Sequence, residues 1–247
     1  MAETERIHGL HAVRTVLERA PERVRLLMLA SSRKDAALAQ LEQVARAAKI
    51  KIDLLAFPAL EKLAGDVVHQ GVLADVLPFA PWNEDQLLAA LEHADKPLLV
   101  ALDGVQDPHN LGACLRTADA CGALAVIVPR DRAAPLNATA RKVAAGAAET
   151  TPVVSVVNLA RTLRLLKDAG LWIVGAAGDA PKRAHEVDLT GGIVIVMGAE
   201  GSGMRALTRQ HCDHLVRLPQ LGAVESLNVS VATGMMLYEA VRQRGAK

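Results

Sequence analysis

The sequence predicts an α/β protein in which a parallel sheet layered with helices fills residues 97–247, a smaller α/β unit fills 1–76, and a linker spans 77–96. Three observations carry that prediction. Six apolar runs of strand length (Leu98 to Asp103, Leu124 to Pro129, Val153 to Val157, Leu171 to Ala176, Ile193 to Met197, Leu215 to Leu218) alternate with helical segments, as strands of a doubly covered parallel sheet do. Hydrophobic residues make up 51% of the chain but aromatics only 2%, so the core must be built of Ala, Val, Leu and Ile, which suits helices packed on such a sheet. A length of 247 residues leaves room for two domains.

Taken in order, Leu10, Val13 and Leu17 fall at helical spacing within His8 to Ala20. A strand follows at Val24 to Leu29, a helix at Asp35 to Ala48, and short strands at Ile50 to Leu55 and Gly71 to Val76. Pro78, Pro81 and Trp82 interrupt the pattern before an acidic helix at Glu84 to Asp95 and a boundary at Pro97. Farther on, Asn110 and Asn158 are candidate N-caps, and Gly122 and Gly170 stand where a helix ends in a left-handed glycine.

A net charge of +1 excludes a globally basic nucleic-acid binder, so any patch for a polyanion must be local. One candidate is the first 34 residues, with seven Lys/Arg against four acids and Arg19, Arg23, Arg25, Arg33 and Lys34 close together. A solvated helix surface accounts for those charges as well as an RNA contact does. Three cysteines, without CxxC spacing, point to reduced thiols and a cytoplasmic protein. The N-terminus lacks a signal-like apolar region, and no run approaches the roughly 18 apolar residues of a membrane helix. His211-Cys212-Asp213-His214 tempts a metal reading, but that spacing at a helix end does not converge, and no metal is expected.

Three turns rich in Gly and Asn follow predicted strands: Asp103 to Ala118, Gly198 to Met204, and Leu218 to Ser230. GAEGSG lacks the GxGxxG spacing of a dinucleotide site, no ribose-binding acid follows at the required distance, and no GK[ST] marks a P-loop. What these turns offer is main chain unblocked by side chains at the carboxyl ends of strands, where open α/β sheets bind ligands.

Asn110-Leu-Gly-Ala-Cys-Leu-Arg116, Ile195-Val-Met-Gly-Ala-Glu200-Gly, and Leu218-Pro followed by Ser226-Leu-Asn228-Val-Ser230 resemble, in order, the three motifs of the SpoU class of the SPOUT superfamily. The opening IHGLHAV and His69-Gln70-Gly71 resemble the RNA-binding domain, itself similar to ribosomal protein L30e, of the enzymes that methylate a 23S ribosomal RNA guanosine. The resemblance implies S-adenosylmethionine-dependent ribose 2′-O-methylation, a deep trefoil knot in the C-terminal domain, and a homodimer. It implies Asn110, Arg116, Glu200, Ser226 and Asn228 as catalytic, with cofactor held at Gly198, Leu218, Leu227 and Asn228. For substrate the resemblance points to His69, Gln70 and Ser230, and the basic face adds Arg23 and Arg25. Gln220-Leu221 and Glu225 depart from the small residues usual in the third motif.

Methyl transfer to a ribose hydroxyl needs in-line alignment, removal of a proton and stabilisation of a developing oxyanion. A guanidinium stays protonated near neutrality, so the suitable role for Arg116 is to clamp the adjacent phosphate and stabilise the incipient alkoxide. The same chemistry on tRNA, and a non-catalytic RNA-binding assembly factor of this fold, remain alternatives. Residues 227–241 are apolar nearly all round, which points to burial against a second copy; the resemblance places Arg116 of one copy at the cofactor pocket of the other.

Overall fold

The computed structural model describes residues 4–31, 35–79, 81–224 and 226–245, and the chain clusters into two units, Met1–Ala80 with Ala145–Thr150, and Pro81–Ala144 with Thr151–Lys247. Arg33, Lys34 and Glu225 lie outside the described residues.

The first unit runs β1 (Glu5–His8), α1 (Leu10–Arg19), β2 (Val24–Ala30), α2 (Ala36–Ala47), β3 (Ile52–Leu55), α3 (Phe57–Ala64) and β4 (Val72–Val76). Its four-stranded sheet has the order β1-β4-β2-β3, with β4 antiparallel to both neighbours and β2 parallel to β3. Alternation along the strands divides the apolar residues between two faces. Leu27, Leu29, Val72 and Val76 pack with Val13 and Leu17 of α1 and Leu41 of α2, while Met28 and Leu73 turn to the other face and meet Leu60 of α3.

Sequence periodicity starts the first helix at His8, but Glu5–His8 pairs with β4 as a strand and Gly9, at φ 88°, makes the turn into α1. The pairing partner lies more than 60 residues away, which no local pattern encodes. The predicted strands and the second helix are otherwise found within two residues of their expected ends, and α3 is an element that the sequence reading lacks.

The second unit holds seven strands, all parallel, in the order β7-β6-β5-β10-β8-β11-β9. These are β5 (Leu98–Asp103), β6 (Ala125–Pro129), β7 (Val153–Val156), β8 (Trp172–Ala176), β9 (Lys182–Arg183), β10 (Ile193–Gly198) and β11 (His214–Arg217). Every residue of β5 and β6 is buried, as burial on both faces requires. The helices are α4 (Glu84–Leu91), α5 (Pro108–Ala120), α6 (Ala138–Ala144), α7 (Leu159–Asp168), α8 (Ala206–Gln210) and α9 (Val229–Gly245).

The expected linker, 77–96, contains α4, whose Asn83–Gln86 capping box fixes its start and whose fully buried Leu87 joins the core of the second unit. Asn158 caps α7 by accepting from the Arg161 amide at 3.1 Å, as anticipated. Asn110 is not a cap: Asp107 is, accepting from the His109 amide at 3.0 Å with Pro108 opening the helix, which leaves the Asn110 side chain free for other contacts. Gly112 of the first motif has a packing reason, because a Cβ there would lie 2.5 Å from the Ala140 carbonyl oxygen of α6. No helix among the described residues is long and apolar enough to cross a membrane.

Candidate active site

The three motif turns end β5, β10 and β11, neighbours or near neighbours in the sheet, so topology brings them to one edge. At their junction Glu200 is the hub. Its Oε1 accepts from Asn228 Nδ2 at 2.6 Å, from the Val229 amide at 3.1 Å and from Asn110 Nδ2 at 3.3 Å, while Asn228 Nδ2 also donates to Asn110 Oδ1 at 2.9 Å. The Asn228 side-chain Oδ1 caps α9, accepting from the Ser230 amide at 2.9 Å and the Ser230 hydroxyl at 2.6 Å. Glu200 therefore sits at the amino end of α9, where unpaired N–H groups and the helix dipole favour a carboxylate. Residues 90 and 118 positions apart from Asn110 are thus locked into one polar array.

Beside this array a cavity of about 410 Å³ opens between the β5–α5 and β10–α8 connections; its lining includes Asp107, Asn110, Arg132, Glu200 and Arg205. Asp103, 1% exposed at the end of β5, accepts from the Arg205 amide at 2.8 Å and from Arg205 Nε at 2.6 Å, so the guanidinium is held at the cavity wall. Sequence reasoning passed over Asp103, Arg132 and Arg205. An acid that ends a strand and an arginine after a GSGM turn were weak but available signals, whereas nothing local distinguishes Arg132.

The main chain at Gly198 leaves no space for a side chain: a Cβ would lie 2.2 Å from the Gly203 carbonyl carbon, where the turn closes through paired Ala199–Gly203 hydrogen bonds of 2.9 and 3.1 Å. Gly198, Leu218 and Leu227 are all half-buried, at or just beyond the carboxyl ends of β10 and β11 and before α9. Main-chain groups reachable at the ends of parallel strands fit a nucleoside-bearing cofactor read without side chains.

Arg116 and Ser226 stand apart from the array. Both are exposed, and neither has a hydrogen-bonded partner among the described residues. Glu200, which could have paired with Arg116, is engaged by the two asparagines instead.

In the N-terminal unit three of the expected substrate contacts have internal partners. Arg23 is 8% exposed and committed internally: it donates to the Glu149 carboxylate at 2.8 Å and to the Leu77 carbonyl at 2.9 Å, and it lies 4.9 Å from the centre of the Phe79 ring. His69 is 6% exposed, its Nδ1 accepting from the Gly71 amide at 3.2 Å and its ring 5.1 Å from that of Phe57. Gln70, in the left-handed region at φ 54°, accepts from the Leu10 amide at 3.0 Å and so ties its turn to the start of α1. The HisGlnGly turn is a fold element first. Arg25 is exposed, and so is Gln70, although its side chain is engaged at the start of α1.

The cysteines are packing residues: burial pushes the Cys114 thiol up to about 11 and the Cys212 thiol up to about 12. Around Cys212, Asp213 accepts from the Ile173 amide at 2.8 Å and pairs with Lys167 at 2.6 Å, and His214 stacks on Trp172 at 5.5 Å. Among the described residues no group of His, Cys, Asp and Glu is placed to hold a metal ion.

A parallel sheet with three glycine-rich turns around a Glu–Asn–Asn array defines a class, and comparison with known proteins agrees: residues 97–238 match the SpoU rRNA Methylase family, and the chain belongs to it. Residues 6–82 match the RNA 2′-O ribose methyltransferase substrate-binding family. Over 99% of this chain and 98% of its own, the 23S rRNA (guanosine-2′-O-)-methyltransferase RlmB of Pseudomonas aeruginosa is 54% identical. The Escherichia coli K12 protein of the same name is 51% identical over 98% of this chain and 99% of its own. Among solved structures, the SpoU methyltransferase AviRb of Streptomyces viridochromogenes in complex with AdoMet superposes with a TM-score of 0.77 at 25% identity, covering 98% of this chain and 91% of that one.

Proposed function

We propose that this chain transfers a methyl group from S-adenosylmethionine to the 2′-hydroxyl of a guanosine in 23S ribosomal RNA. The observation that carries the reading is the Glu200–Asn110–Asn228 array at the mouth of a cavity, next to main chain suited to the cofactor. Its support outside the structure is the identity of over half to full-length relatives named for that reaction.

The cofactor, when bound at Gly198, Leu218 and Leu227, supplies a methyl group activated by a positively charged sulfur. The chain does the rest. Asn110 and Asn228, fixed by Glu200, present a rigid polar edge that orients the ribose, so alignment costs little further entropy at the moment of reaction. Arg116, exposed on α5 and with no partner among the described residues, grips the phosphate beside the target ribose and stabilises negative charge on its oxygen. The ribose proton leaves to that phosphate or to water. Ser230, whose hydroxyl donates to Asn228, extends the array's hydrogen-bonding edge toward the nucleotide, and Ser226, exposed on the loop before α9, is available to the substrate.

The working unit is a homodimer assembled around α9, in which Arg116 of one copy completes the site of the other. Val231, Met235 and Tyr238, at 52, 46 and 67% exposure, recur at four- and three-residue intervals on one side of α9, while Met236, Leu237 and Ala240 on the opposite side are buried. The knot implied by the family resemblance belongs to this same region. The protein works in the cytoplasm, where its RNA is made.

The deciding experiment is to map 2′-O-methylated positions in 23S ribosomal RNA from cells with and without the protein, and to measure methyl transfer from labelled S-adenosylmethionine to the unmodified RNA. Loss of one guanosine methylation, restored in vitro, is the expected result. An unchanged map, or transfer only to tRNA, refutes the reading.

A further inference from the structure

The cavity beside the array has a charge balance that identifies what it reads. Three carboxylates, Asp103, Asp107 and Glu200, line it with two guanidiniums, Arg132 and Arg205. Arg205 is neutralised by buried Asp103, to which it is bound through its amide and its Nε. That leaves two acids against one arginine, an environment that repels a phosphate.

Arg132 is the unusual member. Its side chain is exposed and has no partner among the described residues, and its backbone holds the left-handed region at φ 57°, a conformation that costs a non-glycine residue energy. The β6–α6 connection that carries it is anchored by the Ala134 amide, which donates to the Val105 carbonyl at 2.8 Å on the loop bearing Asp107. Asp107 spends Oδ1 on capping α5, and its Oδ2 has no partner among the described residues. A donor fork and a free acceptor thus face one space from two tethered loops.

We propose that this cavity is the pocket for the target base and that Arg132 selects guanine, donating its fork to O6 and N7 while Asp107 accepts from N1–H and the N2 amine. The proposal rests on the ribose-methylation reading above and deepens it. Guanine presents two adjacent acceptors on its major-groove edge and donors on its Watson–Crick edge, whereas adenine places a donor beside N7 and pyrimidines have no N7. A base turned out of its stack is read through such edges in a snug pocket, and a volume of about 410 Å³ suits one. Arg205, locked by Asp103, is a positioning residue that shapes the wall opposite.

The test uses full-length protein and one 23S RNA fragment made with guanosine or 7-deazaguanosine at the target, which differ only at N7. Wild type is expected to lose about tenfold or more in kcat/KM on the 7-deaza RNA, in line with the worth of half a bidentate contact. Arg132→Ala is expected to lose about 10- to 100-fold on guanosine and to treat both RNAs alike, with S-adenosylmethionine affinity unchanged. Arg132→Lys should not restore discrimination, because a point charge lacks the fork. Equal rates of wild type on the two RNAs overturn the pocket while leaving the function intact, and they decide the matter even if the variants prove unstable. Full rescue by lysine also overturns it, in favour of a phosphate contact. Absence of transfer by wild type to any 23S fragment overturns the underlying function and the pocket with it.

Discussion

The two units bury a sheet by the same physics yet place their candidate functional residues differently. In the N-terminal unit, a small mixed sheet covered by short helices, the functional candidates have been drawn inward: Arg23 holds Glu149, His69 receives the Gly71 amide, and Gln70 ties down the start of α1. In the C-terminal unit a seven-stranded parallel sheet is covered by mostly apolar helix faces, and its polar candidates collect at the strand ends. There Arg116 and Arg132 have no partners among the described residues, and Asn110, Glu200 and Asn228 bind one another near the surface. A small domain with little apolar surface recruits polar residues for stability. A large apolar core releases them for chemistry.

Substitutions that treat the two kinds of arginine alike should separate them. The largest effect is expected at Arg116: Arg116→Ala should lower methyl transfer by roughly 100-fold or more with cofactor affinity and melting temperature near wild type, and Arg116→Lys should recover little. Wild-type turnover by the alanine variant on purified RNA removes Arg116 from the reaction. In the other unit Arg23→Ala should cost roughly 3–5 kcal/mol of stability, since it breaks the buried ion pair with Glu149, which is 4% exposed. If denaturant unfolding shows no change while RNA affinity drops, the buried-pair account of Arg23 is wrong and a direct RNA contact is right.

The proposed dimer sharpens the comparison further, because an Arg116 with no partner among the described residues of its own chain makes sense when the site is shared. Met235→Glu with Tyr238→Glu should give a monomer by sedimentation at micromolar concentration and abolish activity without unfolding. Mixing Arg116→Ala with a chain disabled at Leu218 to Asn228 should restore about a quarter to half of the activity, one good site per mixed dimer. No activity in demonstrably mixed dimers rules out sharing. Arg25→Ala, on an exposed position of β2, should leave stability within about 0.5 kcal/mol, weaken RNA binding and reduce its salt dependence by about one counterion. An unaltered salt slope excludes Arg25 from the interface.

The smallest effect concerns pH. Cys114 titrates near 11 when folded, above its ordinary value of 9.0, because burial disfavours its thiolate. Between those values the unfolded chain binds fewer protons than the folded one, so stability falls as pH rises from about 9 to 11. Cys114→Ala should flatten that decline in a melting-temperature series, and an identical slope with and without the thiol assigns the decline to other groups.

The strands of the parallel sheet were legible because each is a buried run that needs apolar residues on both faces, and the three motif turns were legible because glycine and asparagine stand where strands end. The Glu200, Asn110 and Asn228 positions followed from the motifs they sit in. Other features depend on residues far apart in the chain. Glu5–His8 is a strand only because Val72–Val76 lies beside it, Arg23 is a core residue only because Glu149 arrives from 126 positions away, and Asp103 captures Arg205 across 102. Local composition records how a segment prefers to fold and which side it buries. Whether a charge is spent inside the fold or left to meet RNA is settled by the partner that tertiary packing brings to it, since a buried ion pair and an exposed arginine are written with the same residue.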